Sequence, residues 1–295
     1  MEKVFFILML FIASSIGYAQ ENDILERLFA LKNNGKIWLN VDNYTITSED
    51  FDYPFNEKGL KKAFKKNKIK ESSTKTKNAT LLTDNFCISE TKKIADELYQ
   101  SNHYYFIKNR EGKIKLVWFA KAGSTDQNME ETLVNMLFED KIPQEKFLPI
   151  NPTRLNILDK EIMLGTKCYW TMINTIQCPY NGEMNWALHK TLQGAKESVE
   201  NQLKLSKSRS EGKIQSEETV MITFLGVPVQ AKKVIFSLKG INALLVGNKA
   251  QLIVYYVAEN INGKNISCVM SFWNDDVLNP KTKLPALIEQ LIEIQ

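Results

Sequence analysis

The sequence predicts an α+β protein of two related units, each an antiparallel sheet packed with helices, and three observations carry that expectation. Tyr104-Tyr105-Phe106-Ile107-Lys108-Asn109-Arg110-Glu111-Gly112-Lys113 recurs as Tyr255-Tyr256-Val257-Ala258-Glu259-Asn260-Ile261-Asn262-Gly263-Lys264, at a constant offset of 151 residues. Each copy is followed by an apolar run, a polar loop and an expected amphipathic helix, with Leu133, Met136 and Leu137 standing where Leu284, Leu287 and Ile288 stand later. Pro54-Phe55-Asn56 and Pro179-Tyr180-Asn181 mark a third correspondence, each after a β-like stretch and before a helical one. The implied order, twice over, is strand, Pro-aromatic-Asn, helix, further elements, Tyr-Tyr hairpin and closing helix.

The hairpin reading rests on turn chemistry. Runs of β-formers flank a polar segment holding Asn and Gly, and Gly112 and Gly263 supply the positive φ that short loops need. Three prolines, Pro143, Pro149 and Pro152, make Lys141 to Asp159 a poor helix or central strand. The expected division is therefore a leader over 1–19, a first unit over 20–145 and a second over 160–295.

Met1 to Ala19 has a lysine at position 3, an apolar run from Val4 to Ala13 and small residues before Gln20. That is the pattern of a secretory signal peptide, and the run is too short to span a bilayer. The mature chain is expected to be exported, either periplasmic or secreted, with no transmembrane helix. About 275 residues remain, room for one large or two modest cores. An apolar fraction of 44% and a charged fraction of 24% are those of a globular protein.

Along the first half, Asn22-Asp23 is expected to cap a helix through Leu31, and Ile37 to Ile46 to form a strand followed by an acidic loop, Ser48 to Tyr53. Glu57 to Lys68 reads as a surface helix, with Leu60, Ala63 and Phe64 at helical spacing. Ala79 to Ile88 reads as a strand, and Thr91 to Gln100 as a helix capped by Ser89-Glu90. In the second half the expectation is a strand over Tyr169 to Cys178 and a helix from Glu183 to Leu205. A charged tail, Ser206 to Glu218, then leads to strands over Thr219 to Leu225 and Val229 to Leu238.

Charge is uneven. The chain carries a formal +4, and residues 57–77 alone hold nine lysines against two glutamates. The Lys58 to Lys77 segment, with Lys61, Lys62, Lys65 and Lys66 on the helix, is a candidate anionic-surface binder, weighed against an ordinary solvated helix face. The run has no arginine and one aromatic, so nucleic acid is not an expected partner.

Four cysteines in an exported chain predict disulfides. Cys178 and Cys268 are the favoured pair, both being special to the second half. Cys87 and Cys168 are left for each other or free. Cys168 to Cys178 requires a chain reversal, because ten extended residues span about 33 Å.

Catalytic signals are sparse. His103 and His189 are the only histidines, and each reads as structural; zinc-ligand spacings are missing, so neither a metal nor another cofactor is expected. Leu244 to Lys249 holds one glycine, too few for a phosphate loop, and Gly123-Ser124-Thr125 lacks the context of a nucleophile elbow. Carboxylates cluster at Glu49, Asp50 and Asp52 and again at Asp275-Asp276, which keeps an exported hydrolase as an alternative. Trp118, Trp170, Trp186 and Trp273 offer a groove or, more simply, core.

A signal peptide followed by small units that each close on a hairpin and a helix resembles several families of small bacterial envelope domains. No motif selects one of them, so no functional residue is carried over. The leading expectation is a non-enzymatic binding or interaction module with an envelope or extracellular partner.

Overall fold

The computed structural model describes residues 19–209, 213–237 and 251–295. The proposed signal peptide and the Leu244 to Lys249 segment lie outside, apart from Ala19 itself. The described chain is mixed α+β, built mainly from two antiparallel sheets.

The first sheet has the order β1-β2-β3-β6-β5-β4, from β1 (Phe29–Asn33), β2 (Lys36–Asn40), β3 (Thr45–Pro54), β4 (Asn85–Ala95), β5 (Leu98–Lys108) and β6 (Lys113–Ala122). Strand alternation sends Tyr105, Ile107, Val117 and Phe119 to one face, against α1 (residues 19–27) and α3 (Gln127–Phe138). Phe106, Ile114 and Leu116 go to the other face, against α2 (Glu57–Asn67). Helix α2 forms as its sequence requires: Asn56 is extended and its side chain accepts from the Gly59 amide at 2.9 Å, while Ala63 and Phe64 face the sheet.

The second sheet has the order β16-β12-β13-β14-β15-β11-β10-β9. Its strands are β9 (Tyr169–Met172), β10 (Thr175–Cys178), β11 (Gly182–His189), β12 (Lys213–Phe224), β13 (Val227–Ser237), β14 (Gln251–Ile261), β15 (Lys264–Trp273) and β16 (Ile292–Ile294). Helix α4 (Leu192–Arg209) covers one face through Leu203, with Val234, Phe236 and Tyr256 beneath it. The other face packs on α5 (Ala286–Glu289) and on a small hairpin of β7 (Arg154–Ile157) and β8 (Lys160–Met163). That core takes in Leu155 and Ile157, upstream of the boundary expected at 160.

The two sheets share a connectivity. Three strands in a meander, a helix and three more strands give 1-2-3-6-5-4 in the first sheet. The second has 9-10-11-15-14-13 in the same sense, with β12 and β16 added at its edge.

Several local expectations are corrected. Thr91 to Gln100 is not a helix but the tip of the β4–β5 hairpin, turning at Glu97 with φ 55°. Pairing with the β-rich strand 98–108 overrides a weak helical spacing. Glu183 to Leu205 divides: Met184 and Trp186 alternate with Glu183 and Asn185 in strand β11, and the helix starts only where the Thr191 hydroxyl accepts from the Gly194 amide at 3.1 Å. Ile37 to Ile46 is broken by a turn at Asp42-Asn43, both at positive φ. The acidic loop is strand β3, with Phe51 inward and Asp50 and Asp52 outward. The first helix ends at Arg27 and Phe29 already belongs to a strand; likewise the strand expected over 79–88 begins only at Asn85, and α4 and β12 take up much of the expected charged tail. Pro54 precedes helix α2, but Pro179 lies in the turn into strand β11, so the Pro-aromatic-Asn correspondence does not hold structurally.

Both Tyr-Tyr hairpins are present, with different turns. The first has three residues, Arg110 to Gly112, closed by Asn109 N–H to Lys113 O at 2.8 Å. The second has two, Asn262 at φ 50° and Gly263 at φ 80°, a type I′ turn. Tyr104 packs on the α2 side and Tyr255 on the α5 side, so residues matched at an offset of 151 point to opposite sheet faces.

The favoured disulfide is also corrected. Cys168 and Cys178 are bonded, with Cα atoms 4.1 Å apart, because β9 and β10 form the hairpin that reverses the chain between them. Cys178 lies beside Gly182 on β11, whereas Cys268 lies beside Trp186. Two strand spacings, about 9.6 Å, and four residues along, about 13 Å, therefore separate Cys178 from Cys268. Cys87 and Cys268 are free thiols.

Candidate functional site: a polar cavity between the sheets

The sheets meet where the β2–β3 turn reaches the start of α4. Asp42 donates its amide to Leu188 O at 3.2 Å, and its carboxylate accepts the Lys190 amide at 2.7 Å. The same carboxylate takes Arg27 in a fork, at 3.0 Å from Nε and 3.2 Å from Nη2. Arg27 is 6% exposed and also holds Asp23 at 2.6 Å. Beside it, Asn43 Nδ2 donates to Ser198 Oγ at 2.7 Å, and Asn201 Nδ2 donates to Ala122 O at 3.3 Å. A short Asp-Asn turn at positive φ thus ties the first sheet to the last residues of β11 and to α4.

These contacts enclose a cavity of about 290 Å³, walled by both sheets. Lys121, at the end of β6, enters it with its amine 4.4 Å from the centre of the Tyr44 ring. Burial lowers the Lys121 pKa, against the pull of Asp42, Asp126, Glu197 and Glu130. Among the described residues that amine makes no ion pair and no hydrogen bond. Opposite stands His189, pushed down to about 4 by burial, with Asp42 opposing and Lys121 and Arg27 reinforcing the shift. Its Nε2 lies 2.8 Å from Ser267 Oγ, and Ser267 Oγ lies 3.5 Å from Ser198 Oγ. Ser124 lines the mouth, where a Cβ on the preceding Gly123 would come 3.1 Å from Asn201 Nδ2.

Behind Tyr44 the polar network continues. The Tyr44 hydroxyl accepts the Asp126 amide at 2.6 Å, and Asp126 caps α3. Glu130, fully buried, accepts Tyr105 OH at 3.0 Å and meets His103 Nδ1 at 2.7 Å. The Ser267 and His189 pair has nucleophile geometry but not nucleophile access, since Ser267 is 1% exposed and does not line the cavity.

The residues singled out by sequence mostly lie elsewhere. Glu49 pairs with Lys66 at 2.8 Å, Asp50 with Lys115 at 3.4 Å and Asp52 with Lys113 at 3.1 Å. Asp275-Asp276 follow β15 in the other sheet, where Asp276 accepts the Trp273 amide at 3.0 Å and burial raises its pKa. Among the described residues no group of three His, Cys, Asp or Glu is placed to hold a metal ion. The α2 lysines are exposed but locally engaged: Lys66 sits over Phe51, Lys62 over Tyr53, and Lys61 pairs with Glu57 at 3.4 Å, with Lys65 beside them at the surface. Trp186 is core with Trp170 against it at 5.9 Å, and Trp118 stacks on Tyr104 at 6.0 Å on the first sheet, so the tryptophans line no common groove.

Of the earlier candidates only His189 and Ser124 reach the cavity. Asp42, Asn43 and Lys121 were missed. The adjacent Asp-Asn pair between two β-forming runs was the available signal, since it is a type I′ turn sequence. Lys121 gave none, because a lysine at the end of an apolar strand reads as a solvated terminus.

In class, the fold is an α+β pair of antiparallel sheets with a mixed-charge cavity at their junction, and no described helix is long and apolar enough to cross a membrane. No protein-family model matches the chain, and no curated relative matches it in sequence.

Proposed function

We propose that this is an exported binding protein of two related α+β units that holds a small polar ligand in the cavity between them. The observation that carries the reading is Lys121. A partly desolvated amine without an acceptor costs free energy in the empty protein, and a ligand that supplies the acceptor recovers it. The shared connectivity of the sheets supports relatedness of the units, with Tyr104 equivalent to Tyr256, each facing its crossover helix. The Cys168–Cys178 bond supports export, and an N-terminus starting at Gln20 in purified material would test it. Binding is favoured over hydrolysis because the carboxylates on β3 are each neutralised by a lysine and because Ser267, the hydroxyl beside His189, is buried and does not line the cavity.

The test is a thermal-shift screen of the purified chain against several hundred small charged and polar compounds, with Ser124→Trp as a control that fills the mouth. A ligand at one hundred times its Kd stabilises by about 2.7 kcal/mol, roughly 5 °C for a chain of this size. The reading stands if at least one compound shifts the wild type and not the variant. It fails if every shift is the same in both, or if none occurs.

A further inference from the structure

The charge pattern of the wall points to the class of ligand, an inference that rests on the proposed binding role. Two cations, Lys121 and Lys190, and three carboxylates, Asp42, Asp126 and Glu197, line the cavity. Asp42 is already matched by Arg27 from behind, so two positive and two negative groups remain. Among the described residues neither carboxylate left over is ion-paired: Asp126 Oδ1 accepts the Met129 amide at 3.1 Å as a helix cap, and Glu197 Oε1 accepts Gln193 Nε2 at 3.1 Å. A simple anion would satisfy Lys121 while standing against Asp126 and Glu197. A simple cation would do the reverse.

We infer that the cavity takes a small zwitterion of amino-acid or dipeptide size, its carboxylate at Lys121 and its ammonium at Glu197 and Asp126. The volume fits a ligand of that size, since about 290 Å³ lies just below the range of about 300–1,000 Å³ that encloses larger, drug-sized ligands. The lining fits as well. Hydroxyl and amide groups of Ser124, Asn43 and Thr191 surround the charges, and the first lies open at the mouth. A wall that is balanced in charge selects by geometry, because like-charge contacts penalise ligands carrying only one sign.

Calorimetric titration of the full purified chain with the twenty common L-amino acids, Gly-Gly and Ala-Ala tests this, each hit being matched to its two halves; for alanine these are propionate and ethylamine. A zwitterion is expected to bind at least tenfold tighter than either half. Lys121→Met should weaken it at least tenfold. Glu197→Gln, an exposed change on α4, should weaken the zwitterion severalfold and leave the carboxylate-only half unchanged. The inference is overturned if propionate-type probes bind as tightly as the zwitterions, or if Glu197→Gln changes nothing. It is also overturned if the charged-compound screen gives cavity hits and no zwitterion is among them, an outcome that leaves the binding role intact. Absence of any cavity hit in both experiments overturns the zwitterion inference and the binding role together.

Discussion

His189 makes stability depend on pH in a direction set by its burial. The imidazole is 5% exposed, with Ser267 on β15 as its hydrogen-bond partner and Gly194 of α4 against its Nδ1 side. Burial, aided by Lys121 and Arg27 and opposed by Asp42, holds its pKa at about 4 against 6.5 in the unfolded chain. Between those values the unfolded chain binds the extra proton, so stability is full above about pH 6.5 and falls as pH drops toward 4. The 2.5-unit difference, at about 1.36 kcal/mol per unit, amounts to about 3 kcal/mol in all, of which about 2 kcal/mol is lost by pH 5. Urea unfolding at pH 7 and pH 5 measures it, on wild type and on His189→Gln, whose amide can still meet Ser267. Other titrating groups cancel in the comparison. The wild type should lose about 2 kcal/mol more than the variant over that interval. A difference below about 0.5 kcal/mol would refute the account, because a folded-state pKa near 4 requires the larger value.

Three further substitutions probe how the sheets are held. Asp42→Asn leaves Arg27 buried with only Asp23, and urea unfolding should show a loss of about 3 kcal/mol; a loss under 1 kcal/mol would mean the fork to Arg27 is not desolvated. Replacing both Cys168 and Cys178 by serine opens a loop of sequence separation 10, for which chain entropy gives about 2.7 kcal/mol, read as a lower unfolding midpoint that matches the reduced wild type. Gly182 has φ +95°, and a Cβ there would lie 2.9 Å from Ile288 Cγ1 and 3.1 Å from Ser271 O, whereas Gly226 at φ +87° has open space. Gly182→Ala should therefore cost about 1–3 kcal/mol more than Gly226→Ala, and equal losses would show that α5 does not press on the start of β11.

How much of this was legible follows from what each signal depends on. Helix α2 was readable because its cap, its inward residues and its wet lysines all lie within a dozen neighbouring positions. Helix α3 was readable for the same reason, from Leu133, Met136 and Leu137. The fold class followed from turn chemistry and β-forming runs. Strand β3 was misread because Asp50 and Asp52 look like loop residues until Lys115 and Lys113, more than sixty positions away, come to stand beside them. Strand β11 was misread because Trp186 and His189 fit a helical face as well as an alternating one, and only burial of Trp186 at 1% exposure decides between them. The cavity could not have been read at all. Its walls come from the β2–β3 turn, the end of β6 and the start of α4, brought together by contacts such as Asn43 to Ser198 across 155 residues.

The Tyr-Tyr match sets the two hairpins side by side in an alignment that is off by one. In β5 and β14 the residue facing the crossover helix is the first tyrosine of one pair and the second of the other, Tyr104 and Tyr256. A β-strand tolerates a shift of two without changing faces and none of one, so a sequence identity that straddles the pleat places core residues on the wrong side. The turns account for the mismatch: a three-residue loop ending in Gly112 and a two-residue loop ending in Gly263 consume different lengths of chain before the returning strand begins. With the strands aligned by face, Trp118 falls opposite Val269, and both then lie one strand over from the tyrosine on the same side, paired with Tyr104 and Tyr256. Common descent of the two units therefore makes a structural demand that the sequence match alone does not meet. It requires one residue gained or lost at the hairpin tip, where the loop is solvated and a change of length costs little.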